Sequence, residues 1–152
     1  MIVSARECHV CQMLVRGIRQ EDVNEMRAAS GHPPEYSLMR SLRVSTKAWV
    51  CVNERGIACA VWGVAPWPMT PKVGSPWLIA TDEFMKHRVD IVRHTRQCVR
   101  AMGEGFDFLC NYVDIRLISR LPWMEWAGFK YDRYIPEFGV EGRPFLRFSK
   151  AT

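Results

Sequence analysis

The chain has 152 residues, 48% apolar and 24% charged, with 21 basic and 16 acidic side chains giving a net charge of +5. This length suits one domain that buries about 70% of the surface its unfolded chain exposes, and the composition excludes a disordered chain, a collagen-like repeat and a coiled coil. The longest uncharged stretch, Ile57 to Pro71, is broken by Pro66 and Pro68 and is too short to span a bilayer; Arg6, Glu7 and His9 stand where a signal peptide needs an apolar run, so secretion is not expected.

Ile2 to Arg6 reads as a short strand. From Cys8, the apolar positions Cys11, Leu14, Val15 and Ile18 follow helical spacing. A second helical set, Val23, Met26 and Ala29, ends at Gly31 and Pro33-Pro34, and Glu35 to Leu42 adds another turn or two. Trp49 to Val52 and Ile57 to Trp62, joined by Asn53-Glu54-Arg55-Gly56, predict a hairpin. Ala65 to Pro76 is rich in Pro and Gly and reads as a loop, followed by a strand from Pro76 to Thr81. Asp82 caps a long helix whose face is marked by Met85, Val89, Val92, Cys98, Val99 and Met102 and which stops at Gly103 and Gly105. Phe106 to Val113 is a strand and Ile115 to Ala127 a helix interrupted by Pro122. Lys130 to Tyr134 and Pro144 to Phe148 close the chain as strands. The expected architecture is α/β (α+β): one domain over residues 1–152, a mixed sheet of about six to seven strands flanked by about four helices.

Six cysteines without a secretory signal read as reduced thiols. Cys8-His9-Val10-Cys11 has the spacing of half a zinc site but lacks a second half, so no metal is expected. Ser37, Ser41 and Ser45 lack a nucleophile-elbow context, and the acids form no recognisable catalytic pair. Of the six tryptophans, Trp49, Trp62 and Trp77 read as core, while Trp123 and Trp126 share a helix face pressed on the sheet. Trp67 and Met69, in the Pro-rich stretch, are candidates for a partner surface. Lys86, Arg93 and Arg100 recur every seven residues as a basic stripe, a second candidate surface for a protein partner. No nucleic-acid motif accompanies it.

The element order, with its central hairpin and a strand–helix–strand–helix unit ending in Gly128-Phe129, resembles the GNAT acetyltransferase fold. Asp22-Val23-Asn24-Glu25-Met26, Gly31 and Pro33, the run from Gly74 to Asp82, Asn111-Tyr112-Val113 and Trp126-Ala127-Gly128-Phe129 are similar to a small family of internal virion or morphogenesis proteins of short-tailed bacteriophages.

The GNAT resemblance implies a Q/R-x-x-G-x-G/A loop for the CoA pyrophosphate and a tyrosine acid before the final Gly-Phe. Here Thr81 to Arg88 holds no glycine and brings Asp82 and Glu83 to the pyrophosphate position. Met124 stands at the tyrosine position and Leu117 where an asparagine is common, leaving Tyr112 and Tyr131 as substitutes if the fold brings either to the groove. On that reading Leu78, Ile79, Ala80 and Thr81 mark a relic CoA groove closed to its cofactor, with no catalytic residue. The phage resemblance then implies a non-catalytic protein of the virion or the host cytoplasm that works by contact with phage or host proteins. Two alternatives stay open: a divergent acyl-CoA-dependent N-acetyltransferase using acetyl-CoA, and a host-directed inhibitory binding protein. A groove between the Leu78 and Cys110 strands wide enough for pantetheine favours the transferase.

Overall fold

The predicted hairpin forms around Asn53, whose side-chain Oδ1 accepts the N–H groups of Arg55 and Ile57 and fixes the turn. It joins strands β2 (Lys47–Val52) and β3 (Ala58–Trp67). This computed structural model describes residues 2–4 and 14–152. The Cys8–Cys11 pair lies outside them, as does all but the end of the helix expected from Cys8.

With β1 (Ile2–Ser4), β4 (Thr70–Ala80), β5 (Phe108–Asp114), β6 (Lys130–Phe138) and β7 (Arg143–Ala151), the strands form one seven-stranded sheet in the order β1-β2-β3-β4-β5-β7-β6. All neighbours are antiparallel except β4 and β5. The mixed sheet agrees with the sequence reading. The interior strand β3 is buried at eight consecutive positions, Ala58 to Ala65, because both faces of the sheet are covered.

Two helices, α1 (Gln20–Ser30) and α2 (Pro34–Val44), cover one face. Leu38 of α2 packs there with Val50, Val61 and Ile79, and Met26 of α1 lies against the same cluster. Gly31 ends α1 at φ 73°, where it returns its N–H to Arg27 O. The opposite face carries α3 (Asp82–Met85), α4 (Arg88–Gly103) and α5 (Leu121–Trp126), the last after a 3₁₀ segment, Ile115–Arg120. Val99, Met102 and Met124 pack there on Ala60, Trp62, Leu109 and Val113. Alternation along β3 and β4 therefore sends Val61 and Ile79 to the α1–α2 side and Trp62 and Leu78 to the α4–α5 side.

Three local expectations are corrected. The Pro-rich stretch is mostly strand, turning only at Pro68 and Met69. Strand survives there because β2 ends its pairing at Val64, leaving no partner opposite the missing N–H of Pro66, and Pro76 faces a gap. The long helix breaks at Lys86 and His87, whose N–H groups bond to Glu83 O and Phe84 O. Within α4 the packed face is Ile91, Thr95, Cys98, Val99 and Met102; Val89 and Val92 fall beside that stripe on the same helix and are exposed, as is Met85 before the break. Trp123 and Trp126 also part: Trp123 donates to Thr95 Oγ1, whereas Trp126 is 40% exposed beneath the Arg96 guanidinium.

Candidate functional site

Strands β4 and β5 pair only at Val73–Phe108 and Gly74–Leu109. At that last rung side chains close over the strand: a Cβ on Gly74 would lie 2.9 Å or less from side-chain atoms of Val64, Leu109 and Phe106. Beyond it the strands diverge. Pro76 has no N–H to offer β5, and its carbonyl is taken by Asn111 Nδ2 at 2.8 Å. Thr81 N–H bonds to Cys59 O in β3, so by ladder alternation the even residues of β4 turn their backbone groups toward the gap. Ala80 spends its groups on Asp22 Oδ2 and Arg19 N–H, both at 3.0 Å. Leu78 is left, its N–H and C=O aimed into the opening.

A cavity of about 770 Å³ threads the sheet at this gap, within the size range of small-molecule sites. One half lies on the α4–α5 side and is lined by Leu78, Phe84, Ile91, Cys98, Trp123 and Met124, with His87, Asp90 and His94. The other half lies under α1 and α2, among Glu25, Met26, Ser41, Trp77, Tyr112 and Phe138.

The second half is anchored by charge. Asp22 is 2% exposed, bonds to Arg19 at 3.1 Å and receives a short hydrogen bond from Arg120. Burial raises its pKa to about 6 against the pull of Arg19, leaving it ionised at neutral pH. One turn along, Glu25 accepts the Asp114 N–H at 2.9 Å and lies 3.7 Å from Arg120 Nη1. Desolvation, with Asp22 and Asp114 nearby, raises Glu25 to about 7. A carboxyl balanced between its two protonation states, on a cavity wall, can take a proton from a bound group.

The α4–α5 half is built differently. Helix α4 runs for 16 residues and begins without a side-chain cap, so its first-turn N–H groups are open to an anion beside His87 and Arg88. Glu83, expected to repel a pyrophosphate, is held by Lys86 at 2.6 Å, and that bond lowers its pKa.

Of the expected groove, Leu78 and Ile79 line the cavity; Ala80 and Thr81 have spent their N–H groups on Asp22 and Cys59. Tyr112 reaches the cavity, but Tyr131 donates its hydroxyl to Leu121 O and does not line it. Met124 is buried on the wall, and Leu117 is buried in the 3₁₀ segment. The expected partner surface is dispersed. Trp67 turns inward to donate to Cys110 O and lean on Tyr112, Met69 is 92% exposed at the hairpin tip, Lys86 and Arg93 pair with Glu83 and Asp90, and Arg100 is exposed on α4.

No family model and no curated protein sequence matches the chain. Solved structures do. A GCN5-related N-acetyltransferase from Kribbella flavida superposes with a TM-score of 0.69 at 15% identity, over 100% of this chain and 97% of that one. The chain carries a GNAT fold. A phosphinothricin acetyltransferase from Sinorhizobium meliloti in complex with AcCoA gives 0.69 at 11% identity, covering 99% of this chain and 87% of that one. The spermidine N-acetyltransferase from Vibrio cholerae, in complex with CoA and spermine, gives 0.67 at 11%, covering 99% and 94%.

These likenesses overturn the expectation of a non-catalytic phage assembly protein. The three structures described are acetyltransferases and no phage protein is among them, and a cavity opens beside Leu78 and Ile79 of the expected groove.

Sequence reasoning missed Glu25, although the segment Asp22 to Met26 stood out for its resemblance. The signal was available: Asp22, Glu25, Met26 and Ala29 share one stripe of α1. Two acids on the buried stripe of an amphipathic helix are a stronger sign of a site than any exposed charge run.

Proposed function

We propose that the chain is an acyl-CoA-dependent N-acetyltransferase with Glu25 as its general base. One observation carries the reading: the β4–β5 gap opens into a cavity that joins an unpaired backbone edge at Leu78 to the carboxyl of Glu25. The similar structures solved with CoA or AcCoA support it at the level of fold.

The residues of the α4–α5 half fit a CoA ester. The N–H and C=O of Leu78 would hold the amide-bearing arm, and the start of α4 with His87 and Arg88 would meet the pyrophosphate without a glycine-rich loop. Bound there, the thioester supplies an activated acetyl group. Transfer would join the acceptor nitrogen to the acetyl carbon and break the carbon–sulfur bond, so that coenzyme A leaves as the thiolate, which takes its proton from solvent, and nitrogen gives up one proton. Glu25 takes that proton from nitrogen and returns it to solvent. Arg120 and the Asp114 N–H hold its carboxylate, and Asp22 fixes Arg120 in turn. The apolar walls exclude water, which strengthens these contacts and limits hydrolysis.

Titration calorimetry with acetyl-CoA tests the reading. Saturable binding in the micromolar range is expected, with thiol release when an amine is added. No heat at millimolar acetyl-CoA overturns it.

A further inference from the structure

Resting on the transferase reading, we infer that the α1–α2 half of the cavity takes a primary amine carried on a flat, uncharged body: an arylalkylamine, not a polyamine or an acidic amino acid.

The walls of this half are aromatic. Tyr112 stacks on Phe138 with ring centroids 4.6 Å apart, and Phe138 continues to Phe145 at 4.5 Å, so one ring from each of β5, β6 and β7 forms a continuous row. Trp77 stands on β4 across the gap and donates its indole N–H to Ser45 Oγ at 2.8 Å, which leaves it an apolar surface for a ligand. Met26 and Ala29 of α1 close the roof. A ring entering this space meets other rings in the offset and tilted arrangements that aromatic groups favour.

Charge narrows the class further. Among the described residues lining this half, Glu25 and Arg120 are the only ionic side chains. Arg120 is engaged by Asp22 and Glu25, so a substrate carboxylate finds no free cation. A second ammonium finds no second acid, since Asp90 stands on α4 across the sheet. An unpaired charge buried here is strongly disfavoured. Ser37 and Ser41 add only neutral hydroxyls. One amine, placed at Glu25, with an uncharged aromatic body along Tyr112 and Phe138, satisfies every group.

The test is calorimetric titration of the full chain, with and without CoA, using 2-phenylethylamine, spermidine and glutamate. 2-Phenylethylamine is expected to bind at least about tenfold more tightly than the other two, and Phe138→Ala to weaken it about tenfold. Ser41→Asp, which leaves the ring row intact, is expected to improve spermidine binding about tenfold by adding the missing acid. Equal or tighter binding of spermidine or glutamate to the native chain overturns the inference. So does unchanged 2-phenylethylamine binding by a folded Phe138→Ala variant, or the absence of 2-phenylethylamine binding altogether. A parallel transfer assay separates the two readings: 2-phenylethylamine that binds but is never acetylated counts against the transferase alone, whereas faster acetylation of spermidine upholds the transferase and sinks the aromatic preference.

Discussion

The two halves of the cavity are built from different materials. Under α1 and α2, side-chain identity carries the chemistry: Asp22, Glu25, Arg19 and Arg120 form a buried network in which each member fixes the next. On the α4–α5 side the chemistry rests on backbone, through the turned-out groups of Leu78 and the uncapped start of α4. A site made of side chains is lost with one substitution. A site made of backbone tolerates many, and for that reason leaves a fainter trace in sequence.

Substitutions of decreasing effect can break or sharpen this contrast. Asp22→Asn should be the most damaging, because it leaves Arg19 and Arg120 buried without their shared counter-ion; urea denaturation should show a loss of about 3–5 kcal/mol. A loss below about 1 kcal/mol would mean that the network is not the anchor of its half. Glu25→Gln should keep the fold and the affinity for acetyl-CoA while lowering kcat/KM for the amine about 10²–10³-fold at neutral pH. An unchanged rate would remove Glu25 from the chemistry.

The titration of Glu25 has two readable signs. Its folded pKa lies near 7, above the ordinary glutamate value of 4.5, so kcat/KM should climb with pH and level off above about 7. Stability moves the other way: the folded state holds the proton more tightly, so stability present at low pH is lost as pH rises through the folded pKa. From about pH 6 to about pH 8 the native chain should lose on the order of 1 kcal/mol that Glu25→Gln does not lose. Asp22, raised to about 6 from 3.8, contributes its own decline mostly below that window, while Arg19 and Arg120 stay charged throughout. The smallest effect belongs to the backbone half: Arg88→Ala should weaken acetyl-CoA only about threefold, less at high salt. A hundredfold loss would show that half to depend on side chains too.

This difference in material also decides what could be read in advance. The element order was legible because it rests on local signals, such as Asn53 to Gly56 for the hairpin and Gly31 for the end of α1. Pro76 to Thr81 was also legible as strand, but the strand through Pro66 and from Thr70 to Ser75 was not, because a proline is tolerated only where its missing N–H has no partner, and that depends on which strand ends where. The break at Lys86 and His87 likewise follows from how Phe84 buries, a tertiary fact. In the site, the missing glycines were visible and were read as closure. The opening itself comes from two strands parting after Gly74, which no residue pattern between Thr81 and Arg88 reports.

Where β4 and β5 part, the sheet acquires an internal edge, with unpaired backbone of the kind that elsewhere recruits a foreign strand. Here the edge is guarded on the β4 side. Asn111 closes the carbonyl of Pro76, Pro76 has no donor to lend, and Asp22 and Arg19 close both groups of Ala80. What remains open on β4 is the single residue Leu78. A polypeptide needs a run of alternating sites to add itself as a strand, whereas a short arm with one amide needs only one. The same caps that hold the strands apart therefore admit a small amide-bearing ligand and turn a peptide away.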